Sequence, residues 1–177
     1  MAAAVLDPAP AAPAHGAAVV AEAAASAKMG MMSDTEFSLT ISQTYTASTE
    51  RIFRAWIEPK ALQKWFRPSD QVRILNAETD LRTGGDYRIE MQTAVGTVHR
   101  ASGLYHEINE PVKLAFTWRW GDETNAEDTY VELTLRQLTP NQTELTLFHD
   151  EFLTADERNS HEENWQGVLA QLAIYLS

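Results

Sequence analysis

The chain has 177 residues, enough for one domain with a sizeable core. It has no cysteine, which excludes a disulfide framework, a thiolate metal site and a cysteine nucleophile. Lys and Arg number 14 against 25 Asp and Glu, a net charge of −11 that repels phosphate backbones and argues against nucleic-acid and anionic-membrane partners.

Residues 1–33 are Ala-rich, and Pro8, Pro10 and Pro13 interrupt any early helix. This segment reads as a disordered tail or transient helix ahead of a domain at 34–177. No Lys or Arg precedes its weakly apolar stretch and arginine is absent from it, so it lacks the marks of a secretory or mitochondrial leader. No apolar run approaches the ~20 residues of a membrane span. A cytoplasmic protein is therefore expected. Met29, Met31 and Met32 stand just before the domain, and translation from one of them is an expectation that an intact mass beginning at Met1 would overturn.

Phe37, Leu39 and Ile41 alternate with polar residues, so Glu36 to Tyr45 reads as a half-buried strand. Ser48 is the expected N-cap of a helix with Glu50 in its first turn and a stripe of Ile52, Phe53, Trp56 and Ile57. Pro59 suits the first position of a second short helix running to about Trp65, which Pro68 ends. From Val72 the period changes to two. Strands are expected over Val72–Asp80, around Tyr87, Ile89 and Met91, and over Thr97–Ile108, with a bend or bulge at Gly103. Leu114, Phe116, Trp118 and Trp120 give the clearest alternation; an acidic loop from Gly121 to Glu127 follows. Two more strands run from Tyr130 or Val131 to Leu138 and from Gln142 to His149, joined at Thr139-Pro140-Asn141. Thr154-Ala155-Asp156-Glu157 has capping-box spacing, and Trp165, Val168, Leu169, Leu172 and Leu176 form one helical stripe after it.

Short turns between successive strands make neighbours antiparallel, and no helices separate the later strands, which excludes parallel βαβ units. The expected fold is α+β: a curved antiparallel sheet of about seven strands, two short helices after the first strand, and a long terminal helix across the concave face. Bulky side chains on curved walls seldom fill such a volume, so a hydrophobic cavity is expected between helix and sheet.

Six motifs in this order resemble a known family. They are Trp65-Phe66-x-Pro68, Gly84-Gly85-x-Tyr87, Gly103-x-Tyr105, Leu114-x-Phe116-Thr117-Trp118, Thr143-Glu144-Leu145-x-Leu147-x-His149, and the helix bearing Trp165. Together they resemble the activator of heat-shock-protein-90 ATPase homologue C-terminal-like family, within the START-like, SRPBCC superfamily of helix-grip folds. The resemblance covers roughly Phe37 to Ser177. It implies the helix-grip fold, and a superfamily of lipid carriers, hormone binders, aromatase/cyclase enzymes and chaperone cofactors. It brings no catalytic constellation to match residue by residue. The eukaryotic activators carry a folded N-terminal domain that engages the chaperone, where this sequence has an Ala-rich segment.

The residues expected to line the cavity are Trp65 from the second helix, then Tyr87, Met91 and Tyr105 from the middle strands. Phe116, Trp118 and Trp120 extend the wall, and Trp165 and Leu169 close it from the terminal helix. The same side chains would serve a filled core equally well. His149 shares the inward face of Leu145 and Leu147, and His161 lies four residues before Trp165. They read either as hydrogen-bonding or acid–base groups at the cavity mouth or as structural histidines held by backbone or by Asp150 and Glu151. His149, Asp150, His161 and Glu162 lack zinc-site spacing, so neither a metal nor a cofactor is expected. Arg88, Arg100 and Arg119 are expected in cross-strand ion pairs on the outer face rather than at a ligand carboxylate. The first functional reading is a module that binds a lipid-like or aromatic small molecule. The alternatives are a cyclase- or hydratase-like enzyme using the same cavity, or a stress protein that meets a chaperone or regulatory protein through its surface, as monomer or homodimer.

Overall fold

A computed structural model describes residues 37–121 and 128–177. The tail at 1–33, the expected strand start at Glu36 and residues 122–127 of the acidic loop lie outside the described residues. The elements are β1 (Leu39–Tyr45), α1 (Thr49–Ile57), α2 (Pro59–Trp65), β2 (Val72–Thr79), β3 (Asp86–Thr93), β4 (Val98–Asn109), β5 (Lys113–Trp120), β6 (Thr129–Thr139), β7 (Gln142–Asp150) and α3 (Ala155–Leu176). The strands form one sheet in the order β1-β7-β6-β5-β4-β3-β2, every neighbour antiparallel. β1 and β2 therefore occupy opposite edges, and α1 and α2 carry the chain from one edge to the other. The sheet is curled, with α3 across its apolar face, as the strand and helix periods predict; this is the helix-grip fold that the resemblance implies.

Local chemistry places the helices. The Ser48 hydroxyl accepts from the Arg51 amide at 3.3 Å and starts α1. Pro59 opens α2, where its missing N–H leaves no gap. Thr154 caps α3 by accepting from the Glu157 amide at 3.1 Å, but the Glu157 carboxylate accepts from the Leu153 amide, one residue outside the usual capping-box position. The α3 stripe of Trp165, Val168, Leu169, Leu172 and Leu176 is buried as its spacing predicts, with His161 at its start. Each such side chain contributes about 1.5–3 kcal/mol by leaving water.

Curvature comes from three register shifts, at Ile74/Asn76 in β2, Tyr105/Glu107 in β4 and Gln137/Thr139 in β6. Gly103, expected at a bend, is not at the β4 shift. Its role is to make room. It pairs with Tyr87, whose hydroxyl donates to the Thr117 carbonyl at 2.7 Å, and a Cβ at Gly103 would meet that oxygen at 1.9 Å. The Leu104 amide then donates to the Thr117 hydroxyl at 2.9 Å in place of a regular ladder bond.

A second close approach seats α3. A Cβ at Gly167 would lie 2.0 Å from the Pro68 carbonyl oxygen, in the turn that follows α2. Gly→Ala inside a helix ordinarily stabilises by about 1 kcal/mol. Here the contact is backbone and cannot rotate away, so Gly167→Ala is expected to destabilise by about 1–3 kcal/mol. A shift of the urea midpoint to lower concentration checks this.

The outer face is polar. Arg100 pairs with Glu90 across β3 and β4 at 2.7 Å, and Lys113 meets Glu107 and Glu132 at 2.9 and 3.2 Å. Arg119 forks onto Asp128. These partly exposed pairs contribute little to stability.

Candidate functional site

Two small apolar voids, each of about 20 Å³, lie on the inner face of the sheet: the first between the sheet and α1, α2 and the Phe66 turn, with no α3 residue in its wall, the second between α3 and the sheet. That is room for roughly one water apiece. The first lies against Trp56, Tyr87, Tyr105, Phe116 and Trp118; the second lies against Met91, Trp118, Trp120, His161 and Trp165. Phe66 and Trp118 line both, so this pair, with ring centroids 6.1 Å apart, forms the partition. Among the described residues no Lys, Arg, Asp or Glu lines either void.

Phe66 is placed by a turn rather than by a helix or strand. The Arg67 amide donates to the Trp65 carbonyl at 2.8 Å, and Phe66 has φ −74° and ψ 74°, an inverse γ-turn directly after α2. The turn aims the phenyl ring inward while the chain leaves the helix. Outside it, Arg67 donates to Gln171 at 3.4 Å and to Asp70 at 3.2 Å, and Gln171 donates to Asp70 at 3.2 Å, clasping the turn to α3. Asp70 and Gln171 sit at the surface, so the clasp is weak. Burial of Phe66 and the Pro68–Gly167 contact are the firmer anchors.

The two histidines lie deeper than a cavity mouth. Trp165 donates its indole N–H to His149 Nδ1 at 3.0 Å. An indole can only donate, so Nδ1 accepts and the imidazole proton sits on Nε2. Nε2 donates to the Thr129 hydroxyl at 2.7 Å, which donates to the Trp118 carbonyl at 3.0 Å. His161 Nε2 accepts from the Trp120 indole at 3.1 Å, and its Nδ1 donates to the Glu157 carbonyl at 2.9 Å. Each ring has both nitrogens engaged and is neutral. The partners are two tryptophans, a threonine and a backbone carbonyl, not Asp150 or Glu151. The Phe152 ring packs on both, at 4.3 and 4.9 Å.

Burial pushes the His149 pKa well below its ordinary value, and the neighbouring His161 lowers it further. Burial also lowers the His161 pKa, partly opposed by the hydrogen bond to the Glu157 carbonyl and by the Glu157 charge. Below about pH 6.5 the unfolded chain therefore binds more protons than the folded one. Stability is expected to be level above that pH and to fall below it, by up to about 1.4 kcal/mol per pH unit for each histidine. Urea unfolding between pH 5 and 8 checks the slope.

Eight of the eleven residues expected at the cavity line a void: Tyr87, Tyr105 and Phe116 the first, Met91, Trp120, His161 and Trp165 the second, and Trp118 both. Trp65, His149 and Leu169 do not. Trp65 is core, donating to the Ala55 carbonyl at 2.9 Å, and the Leu169 carbonyl accepts from the Tyr45 hydroxyl at 3.1 Å. Sequence reasoning missed Phe66 and Trp56. Phe66 was legible as part of Trp65-Phe66-x-Pro68, but nothing in a helical period shows that two successive aromatics both turn inward. Among the described residues no group of three His, Asp or Glu side chains is gathered as a metal site would need, and no helix is long and apolar enough to cross a membrane.

Residues 46–177 match the Activator of Hsp90 ATPase homolog 1-like protein family. The chain belongs to that family. A search of curated proteins found no match. Solved structures of the same fold include a protein from Chromobacterium violaceum, 26% identical with a TM-score of 0.69, covering 78% of this chain and 96% of that one. The AHSA1 protein from Silicibacter pomeroyi is 22% identical with a TM-score of 0.69, covering 78% of this chain and 96% of that one. An HSP90 activator from Plasmodium falciparum is 22% identical with a TM-score of 0.62, covering 79% of this chain and 96% of that one. Within the Activator of Hsp90 ATPase homolog 1-like family, this member has its concave face almost closed by its own aromatic side chains.

Proposed function

We propose that this domain is a binding module for a hydrophobic small molecule, lipid-like or aromatic, held between α3 and the concave sheet. The observation that carries the reading is the bisected interior: one apolar void beneath α1 and α2 and one beneath α3, separated by a phenyl ring that a turn delivers. Ligand pockets usually hold roughly 300–1,000 Å³. The voids of about 20 Å³ are far smaller, so binding requires Phe66 to leave. The turn that bears it is tied to α3 by an exposed clasp, which makes the segment from Phe66 to Asp70 the access route. Binding is favoured over catalysis because neither His149 nor His161 has a ring nitrogen free to meet a substrate.

Nile red, a neutral dye whose emission shifts to the blue in apolar surroundings, tests this on the full chain. The reading expects saturable binding of one dye per chain with a blue shift. Absence of saturable binding both to the natural chain and to the Phe66→Ala variant would overturn it.

A further inference from the structure

The tryptophans divide in a way that packing alone does not explain. All five lie among the described residues. Trp65, Trp120 and Trp165 donate their indole N–H to the Ala55 carbonyl, His161 and His149 respectively. The indole nitrogens of Trp56 and Trp118 are buried with no acceptor among the described residues. Both residues are only 4% exposed, and both line the first void. A buried donor without an acceptor has given up its hydrogen bond to water for nothing, so native interiors rarely keep one. Two at one void point to a function there.

Phe66 lies between them, its ring centroid 5.8 Å from Trp56 and 6.1 Å from Trp118. A ring that replaced Phe66 would pack against both of these indoles. An indole N–H only donates, so the incoming group must accept. Its charge is constrained too. Among the described residues no Lys, Arg, Asp or Glu lines either void, and His161, the one imidazole of those residues at them, is neutral with both nitrogens engaged. A carboxylate, phosphate or ammonium would be buried without a counter-ion.

We infer that the ligand is a neutral, ring-bearing apolar molecule with an acceptor oxygen, such as a ketone or lactone carbonyl, which takes the indole N–H of Trp56 and Trp118 in the space Phe66 vacates. This deepens the binding-module reading and rests on it. A fatty-acid carboxylate or a lipid phosphate would find no counter-ion among the described residues at either void.

Three probes of one shape separate the possibilities: naphthalene, 2-acetylnaphthalene and 2-naphthoate, titrated at pH 8 into the full chain with ¹⁵N-labelled tryptophan. 2-Acetylnaphthalene is expected to bind about tenfold tighter than naphthalene, one hydrogen bond's worth, with 2-naphthoate weakest. Relative to the naphthalene complex, it should move the indole N–H signals of Trp56 and Trp118 downfield while those of Trp65 and Trp165, already bonded to Ala55 and His149, stay in place. Trp118→Phe and Trp56→Phe should each reduce the ratio of ketone to naphthalene affinity, whatever either change does to the binding of both probes. Equal binding of naphthalene and the ketone would overturn the inference and leave the cavity reading standing. So would indole signals of Trp56 and Trp118 that sit upfield over neighbouring rings and ignore the ketone, a result readable on the natural chain even if the variants do not fold. Tightest binding by 2-naphthoate would also overturn it. If no probe binds the natural chain or Phe66→Ala, the cavity reading fails and the inference falls with it.

Discussion

Phe66→Ala is expected to lower stability by about 3–5 kcal/mol, as for other large buried aromatics, and to strengthen Nile red binding. The two effects share a cause. In the natural chain a ligand must expel the Phe66 ring into water, at roughly 1.5–3 kcal/mol. Removing the ring removes that opposition, so affinity is expected to rise about ten- to a hundredfold. Dye at a hundred times its dissociation constant should then return about 2.7 kcal/mol of the lost stability. Urea unfolding with and without dye measures both. A variant that loses the stability but binds no more tightly would show that Phe66 is ordinary core.

His149→Ala is expected to lose about 3–5 kcal/mol through a cavity and a broken polar chain. The imidazole is fully buried and is the acceptor for Trp165 and the donor to Thr129. His149→Leu separates the two contributions. It restores most of the volume but leaves the Trp165 N–H without an acceptor, and should still lose about 1–3 kcal/mol. His161→Leu should lose less than His149→Leu, because the indole it strands belongs to Trp120, which is only partly buried. Urea unfolding of the three variants at pH 7.5 tests the ranking, away from histidine titration. A His149→Leu variant as stable as the natural chain would contradict the tautomer and hydrogen bonds assigned here.

The parts of the fold that follow a period were legible. Alternation located β5 through Phe116, Trp118 and Trp120, and three-and-four spacing located the buried face of α3 from Trp165 to Leu176. Hydroxyls at Ser48 and Thr154 marked the starts of α1 and α3. What breaks a period was not legible. The register shifts near Leu75, His106 and Leu138 carry no Gly or Pro, and Gly103, which does invite a bend, instead lets the Tyr87 hydroxyl reach Thr117. The site depends on distant residues meeting: Trp120 with His161, 41 positions apart, and Arg67 with Gln171, 104 apart. Side-chain type alone shows neither which indole finds an acceptor nor that a γ-turn swings Phe66 into the interior.

A small molecule is expected to occupy the interior between the helices and the inner face of the sheet, in the place of Phe66. Intermolecular NOEs between bound Nile red and the protein's side-chain protons report its location directly. NOEs are expected to the indole protons of Trp118 and Trp56 and to the ring of Phe116. NOEs confined to exposed side chains such as Val95, Leu153 and Ile174 would contradict it.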